Sequence, residues 1–379
     1  MRPLSAYIHW PFCKAKCPYC DFNSHVAETI DHGTWSQAYS AEIGYFAQDI
    51  GTEPLTSVFF GGGTPSLMAA STVASVLERL ESRFGFSEGI EITLEANPTS
   101  VEMARLADLR AAGVNRISLG IQALNDADLK ALGREHSADE GLKALEAADT
   151  LFDRVSFDLI YARPDQSLAD WEGELTRALG FGTGHLSVYQ LTIEPGTQFH
   201  KERRKAAPED LAADLFELTQ EVSADAGLPA YEISNHAKPG EACRHNLVYW
   251  TGGRWFGIGP GAHSRLFDGE TWFHQHQFRD PAKWLKEVTE KGHGSQKRTG
   301  LSAGERVEEV FMMGLRLTEG LTAEQFEQAT DLDLFETLEA LDVGALFEGG
   351  FLLADQKGVR CSSFGLERLD AVLARLLGR

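Results

Sequence analysis

Residues 9 to 25 read HWPFCKAKCPYCDFNSH, with Cys13, Cys17 and Cys20 spaced four and three apart. Three of the chain's 5 cysteines fall within these eight positions. The spacing would align three thiols on one helical face, but Pro18 disfavours the α conformation at Cys17 and removes a backbone donor. A loop that wraps its sulfurs around a soft metal centre is the better reading, because thiolates suit zinc and iron–sulfur clusters. A structural zinc wants four closed ligands, and only His9 or His25 stands near enough in sequence to be the fourth. A cubane [4Fe–4S] cluster takes one cysteine per iron. Three cysteines leave one iron open, which is what a metal needs to bind a reactant.

Other residues with chemical potential recur at regular places. Gly61, Gly62 and Gly63 open the stretch GGGTPS, where backbone lacking β-carbons permits a close approach; a plain glycine turn is the alternative. Glu95 precedes Asn97-Pro98, and Gln122, Arg134 and Asp158 follow downstream. Each alone reads equally well as a capping or surface polar group. Farther on, HNLVYW (245–250) sets His245 beside Tyr249 and Trp250. An imidazole ligand with flat apolar walls is what an iron porphyrin wants, and Cys243 offers an alternative thiolate. From residue types alone, a hydrogen-bonded corner beneath a core aromatic pair is the favoured reading of His245-Asn246.

The elements that must position these groups follow from periodicity. Short apolar runs at 5–10, 56–60, 90–96, 116–121, 155–161 and 185–191 read as strands. Amphipathic stretches at 71–84, 101–113 and 168–179 read as the intervening helices. This alternation predicts parallel strands with crossover helices, an α/β class, and six repeats fit an incomplete barrel better than a closed eight-stranded one. Chemistry in such folds sits at the carboxyl ends of the strands, where the unusual residues fall. Residues 301–379 change character: several helices, then FLLADQKGVRC as a small hairpin and a closing helix, predict a winged-helix-like module. Cys361 in that hairpin reads as a core thiol. The expected segmentation is 1–240, 241–300 and 301–379.

Composition bounds the setting. With 379 residues the chain is long enough for a large core and more than one domain. Its 35 basic against 56 acidic residues give a net charge of −21, which repels phosphate backbones and argues against nucleic acid as a partner. The last segment holds fifteen acidic and seven basic residues, so a DNA-reading role for the module is disfavoured. No apolar run reaches membrane-spanning length, and the start MRPLSAYIHWPFC lacks a signal-peptide core. Few cysteines and no exporting signal imply a reducing cytoplasm.

C-x3-C-x2-C near the N-terminus, with Tyr19 before the last cysteine, resembles the radical S-adenosylmethionine (SAM) superfamily. The resemblance implies a [4Fe–4S] cluster on Cys13, Cys17 and Cys20 whose open iron takes the amino and carboxylate groups of SAM. It also implies reductive cleavage of SAM to a 5′-deoxyadenosyl radical, on a partial β/α barrel of six repeats. GGGTPS, with Gly62, Gly63 and Thr64, resembles the motif that contacts the methionyl amino group. Glu95 in LEANP matches a carboxylate that reaches the nucleoside. SLGIQ, GREH and DLIY together resemble the coproporphyrinogen III oxidase-like branch. There Gln122, Arg134 and Asp158 match SAM-contacting positions, Tyr7 and Thr192 align with others, and backbone near Ala262 is implied to touch SAM.

Within the branch two features separate alternatives. The oxidase pattern carries a fourth cysteine where this chain has Phe22, and HNLVYW matches the HNxxYW signature of the branch's haem chaperones. That resemblance turns His245 towards haem ligation, with Asn246 orienting it. It implies a haem-binding protein that delivers haem to haem proteins such as respiratory enzymes. Oxidative decarboxylation of coproporphyrinogen III is the alternative, and whether the chain forms a homodimer stays open. The branch has Gly-Leu-Pro after DLIY, where this chain has Ala162-Arg163-Pro164, so an altered site floor at Arg163 is expected.

Overall fold

The computed structural model describes residues 3–378; residues 1, 2 and 379, at the ends of the expected segments, lie outside the described residues. The six expected strands form as β1 (Leu4–Trp10), β2 (Leu55–Gly62), β3 (Phe86–Ala96), β4 (Arg116–Gln122), β5 (Arg154–Tyr161) and β6 (His185–Gln190). They pair in sequence order and in parallel. Crossover helices supply the second layer, including α1 (His32–Asp49), α2 (Ala70–Phe84), α3 (Ala138–Leu151) and α4 (Leu168–Leu179). Helices on the strands explain the runs read above: Ala6, Ile8 and Trp10 on β1 are fully buried, as are Ile117, Leu119 and Ile121 on β4.

The sheet runs beyond these six. After α5 (Glu209–Asp225), the short β7 (Asn235–Ala237) pairs antiparallel with β6. The chain then returns through α6 (Arg244–Trp250) to β8 (Arg254–Ile258), which joins the other edge parallel to β1. An antiparallel meander follows: β9 (His263–Phe267), β10 (Trp272–Gln277) and, beyond α7 (Pro281–Lys291), β11 (Ser295–Gly300). The two ends, β11 and β7, do not pair, so the barrel is open.

The C-terminal part begins with α8 (Ala303–Gly314) and builds a separate apolar core, including Val310, Phe311, Leu321, Phe326 and Val359, under a three-stranded sheet. The expected hairpin is present as Leu352–Ala354 paired with Gly358–Cys361, and Cys361 is buried there. This part is docked on the barrel: Arg306 donates to the Gly252 carbonyl at 2.5 Å, and Arg265 pairs with Glu309.

One expected helix is divided. Residues 101–113 form Ser100–Met103 and Leu106–Ala111, because the buried Glu102 carboxylate accepts from the Ser66 hydroxyl and from Asn97 N at 2.8 Å. That pins the first turn to the ends of β2 and β3.

Candidate functional site

β1 delivers the chain directly into the cysteine loop. Phe12–Cys13 pairs in parallel with His25–Val26, closing the loop at its base. Asn23 donates to the carbonyls of Pro260 and Arg279, both at 2.9 Å, and ties the loop to the sheet extension. The glycines after β2 position this loop. A β-carbon on Gly63 would lie 2.6 Å from the Phe12 carbonyl oxygen and 3.0 Å from Cys13 Sγ. Gly62 has φ +114°, and a β-carbon there would collide with His9. The glycine run therefore lets β2 press against the cysteines.

Cys13, Cys17, Cys20, Tyr19, Gly62, Gly63, Thr64, Glu95, Gln122, Arg134, Asp158 and Thr192 all line one cavity of about 360 Å³. The cysteines are free thiols. Among the described residues no three His, Cys, Asp or Glu side chains converge on one ion, whereas a cubane takes each thiolate on a different iron. His9 is not a fourth ligand: Tyr7 OH lies 3.1 Å from its Nδ1, and its Nε2 lies 2.9 Å from the Asn23 carbonyl. Burial pushes the Cys13 and Cys20 thiols up, and metal coordination would remove their protons outright.

The strand-end groups are interlocked. Arg134 donates to Cys17 Sγ at 3.2 Å, to Asn97 Oδ1 at 2.6 Å and to the Gly120 carbonyl at 2.8 Å. Asn97, noticed in sequence only as a strand-end neighbour, also donates to Thr64 Oγ1 at 3.1 Å and so joins three of the site's segments. Gly62 N donates to Glu95 at 3.3 Å, and Ser118 donates to Asp158 at 3.3 Å. Burial, then the Asp158 charge, pushes the Glu95 carboxyl up to about 8; burial raises Asp158 to about 6. Gln122 sits at φ +74° with its buried Oε1 lacking a partner, and Arg134 Nε is likewise unpartnered. Buried polar atoms without partners are costly, so their place on this cavity marks a missing polar ligand. The donor set, the orphaned atoms and the volume fit SAM beside a cluster.

HNLVYW is helical, which overturns the expected ligand geometry. On α6, His245 and Tyr249 are four apart and face each other, with His245 Nε2 2.6 Å from Tyr249 OH. His245 Nδ1 lies 2.9 Å from Ser57 Oγ, the ring stacks on Phe59, and the residue is 1% exposed. Burial pushes its imidazole down to about 3, so it is a neutral ring with both nitrogens occupied. The enclosure beside it is about 180 Å³, below the about 300–1,000 Å³ of ligand pockets. His245 is the hydrogen-bonded corner and not an open haem ligand. Asn246 donates to Tyr231 OH at 3.3 Å and does not touch the imidazole. Cys243, buried and pushed up to about 11 by that burial, donates to Glu91 at 3.4 Å and is no ligand either. Arg163 is corrected too: 4% exposed, it pairs with Glu174 and with Asp128 at 2.9 Å, away from the cysteine-lined cavity.

A second cavity of about 530 Å³ adjoins the first and shares Phe22, Gly62 and Glu95 with it. Tyr7 and Ala262 line this cavity and not the cysteine-lined one. The Ala262 backbone is engaged within the protein, its N with Gly259 and its O with Gln277. Tyr249, Trp250, Trp255, His263, Arg279 and Met313 complete much of the wall. No helix among the described residues is long and apolar enough to cross a membrane.

The Radical SAM superfamily pattern matches residues 7–178, and the HemN C-terminal domain pattern matches 301–367. The mitochondrial "Radical S-adenosyl methionine domain-containing protein 1" of Mus musculus is 42% identical, over 98% of this chain and 86% of its own length. "Heme chaperone HemW" of Escherichia coli (strain K12) is 37% identical, over 88% of this chain and 87% of its own. The HemW of Mycobacterium tuberculosis is 35% identical over 100% and 95%. The solved coproporphyrinogen III oxidase (HemN) of Escherichia coli superposes with a TM-score of 0.82 at 23% identity, covering 99% of this chain and 90% of that one, a likeness of fold. With the cysteine loop, the strand-end groups and these relatives in agreement, the chain belongs to the radical SAM superfamily, in the coproporphyrinogen III oxidase-like branch that holds the haem chaperone HemW proteins.

Proposed function

We propose that this chain binds a [4Fe–4S] cluster through Cys13, Cys17 and Cys20, binds SAM at the open iron, and carries haem to haem proteins such as respiratory enzymes. The observation that carries the reading is the pair of adjoining cavities that share Phe22 in their walls. One has the thiols and orphaned polar atoms that suit a cluster and SAM. The other has aromatic walls and a volume suited to a flat apolar cargo. Phe22 is 58% exposed at the position where the oxidase pattern has a cysteine, so it offers an apolar face in place of a thiol. The names of the HemW relatives point the same way.

Bound cluster and SAM would supply one-electron chemistry; the chain's own residues bind and orient. Arg134 holds Cys17 and Asn97, Glu95 offers an acceptor to ribose hydroxyls, and Gln122 offers its unpaired carbonyl oxygen. A reducing compartment suits an open iron–sulfur site, whether a cytoplasm or an organelle interior like that in the name of the Mus musculus relative.

The test is anaerobic and two-armed. Reconstituted protein loaded with one haem is mixed with an apo haem protein, and separately supplied with coproporphyrinogen III, reductant and SAM. Haem transfer without vinyl-group formation is expected. Sustained porphyrinogen decarboxylation, with no haem transfer, would establish the oxidase instead.

A further inference from the structure

With His245 sealed in the core, a haem carried by this protein needs another ligand. The antiparallel extension supplies one. His263 on β9 stands directly opposite His276 on β10, their rings 4.2 Å apart, and His274 follows on the same face with its ring 5.0 Å from His276. The alternate residues Ser264, Leu266, Gln275 and Gln277 are buried on the other face of the sheet. Three of the chain's 12 histidines are thus gathered on one patch, and His263 is the member that lines the second cavity.

The three do not converge as a single-ion site requires among the described residues. Haem iron needs less, since the porphyrin fills four positions and one imidazole can take an axial one. His263 is exposed, and one ring nitrogen faces His276 Nδ1 at 3.4 Å. The other has no partner among the described residues. In the tautomer where His263 Nε2 donates to His276 Nδ1, the outer Nδ1 of His263 keeps its lone pair, and that is the tautomer an iron ligand requires. Partial enclosure, then His276, pushes the imidazole down to about 4, so the ring is neutral at pH 7.

The rest of the cavity suits the remainder of a haem. Trp255, Tyr249, Phe22 and Met313 give apolar walls. No carboxylate pairs with the exposed Arg279 guanidinium among the described residues, which leaves a charged donor for a propionate carboxylate. We propose that His263, held by His276, is the axial iron ligand of a haem bound in this cavity. The proposal rests on the haem-carrying reading above. Coordination donates the imidazole lone pair to iron and displaces only a water or hydroxide.

Hemin is titrated into the anaerobically reconstituted full chain and into His263→Gln and His263→Gly, with iron content and circular dichroism confirming each fold. Wild type is expected to bind one hemin with an imidazole-type Soret band. His263→Gln should shift that band and weaken binding at least about tenfold, and added imidazole should restore the band in His263→Gly. Unchanged band and affinity in His263→Gln would overturn the assignment while leaving haem carriage standing. Failure of the wild type to bind hemin would overturn both.

Discussion

Glu95 near the end of β3 and Asp158 midway along β5 are two partly buried carboxyls, both raised by desolvation, a placement that costs free energy unless something arrives to offset it. A carboxyl pushed up to about 8 is protonated at pH 7. Ribose hydroxyls favour its ionised form, so SAM binding at pH 7 should expel up to about one proton. The sign follows from linkage: a ligand that prefers the carboxylate lowers its pKa, and affinity rises as pH climbs towards 8. Calorimetry in two buffers of different ionisation enthalpy measures this release, and Glu95→Gln should abolish it; equal heats in both buffers for wild type would refute the role. At this scale the cysteines and strand-end polar groups were legible because their types and spacing are unusual. For His245 the residue types favoured a hydrogen-bonded corner and the resemblance favoured haem; the structure has the corner, because on a helix the imidazole meets Tyr249 four residues on. Arg163 was misread because its pairing with Glu174 on the next helix and with Asp128 depends on packing that no local pattern encodes. Ala162, at φ +57° where the branch carries glycine, explains that glycine as a backbone preference and not as a feature of the site.

Two devices hold the cysteine loop at the level of elements. The first is the close approach of β2, where Gly63→Ala puts a methyl 2.6 Å from the Phe12 carbonyl. Relief requires moving Phe12–Cys13, so reconstituted Gly63→Ala should retain markedly less iron and sulfide, with stability lowered by about 1–3 kcal/mol. Wild-type cluster content in that variant would show that the loop has slack. The second is Glu42, a fully buried carboxylate on α1 that accepts from Gly259 N at 2.9 Å, Gly294 N at 2.7 Å and the Trp284 indole at 3.1 Å. It fastens α1 to the loop after β8 and to the start of β11's approach, behind the stacked pair Trp35 and Trp284. Glu42→Ala leaves three buried donors unpaired and should cost about 3 kcal/mol or more; a denaturation midpoint within error of wild type would contradict this. The six parallel strands were readable because strands covered on both faces read as apolar runs. The extension β9 and β10 was not, since HSRLF and WFHQHQ alternate a buried face with histidines and arginine, and nothing in the sequence says which sheet they join.

Across the whole molecule, the sheet carries its chemistry at one end and is extended on the β1 side until His263 and the C-terminal helix α8 meet over the second cavity. The C-terminal part does more than add mass: Met313 reaches the cavity wall and Glu309 pairs with Arg265 on β9. The alternation of strands and helices made the α/β architecture legible, whereas the packing of residues 301–379 on the sheet depends on long-range contacts such as Arg306 with Gly252 that no local pattern encodes. The central proposal is a cluster on Cys13, Cys17 and Cys20 with one iron open to SAM, and electron paramagnetic resonance of the reduced, reconstituted protein tests it most directly. One cluster per chain is expected, with a signal that shifts on adding SAM, and with the cluster lost or crippled in Cys17→Ala. A spectrum indifferent to SAM, or full cluster occupancy in Cys17→Ala, would contradict the assignment of these three cysteines and their open iron.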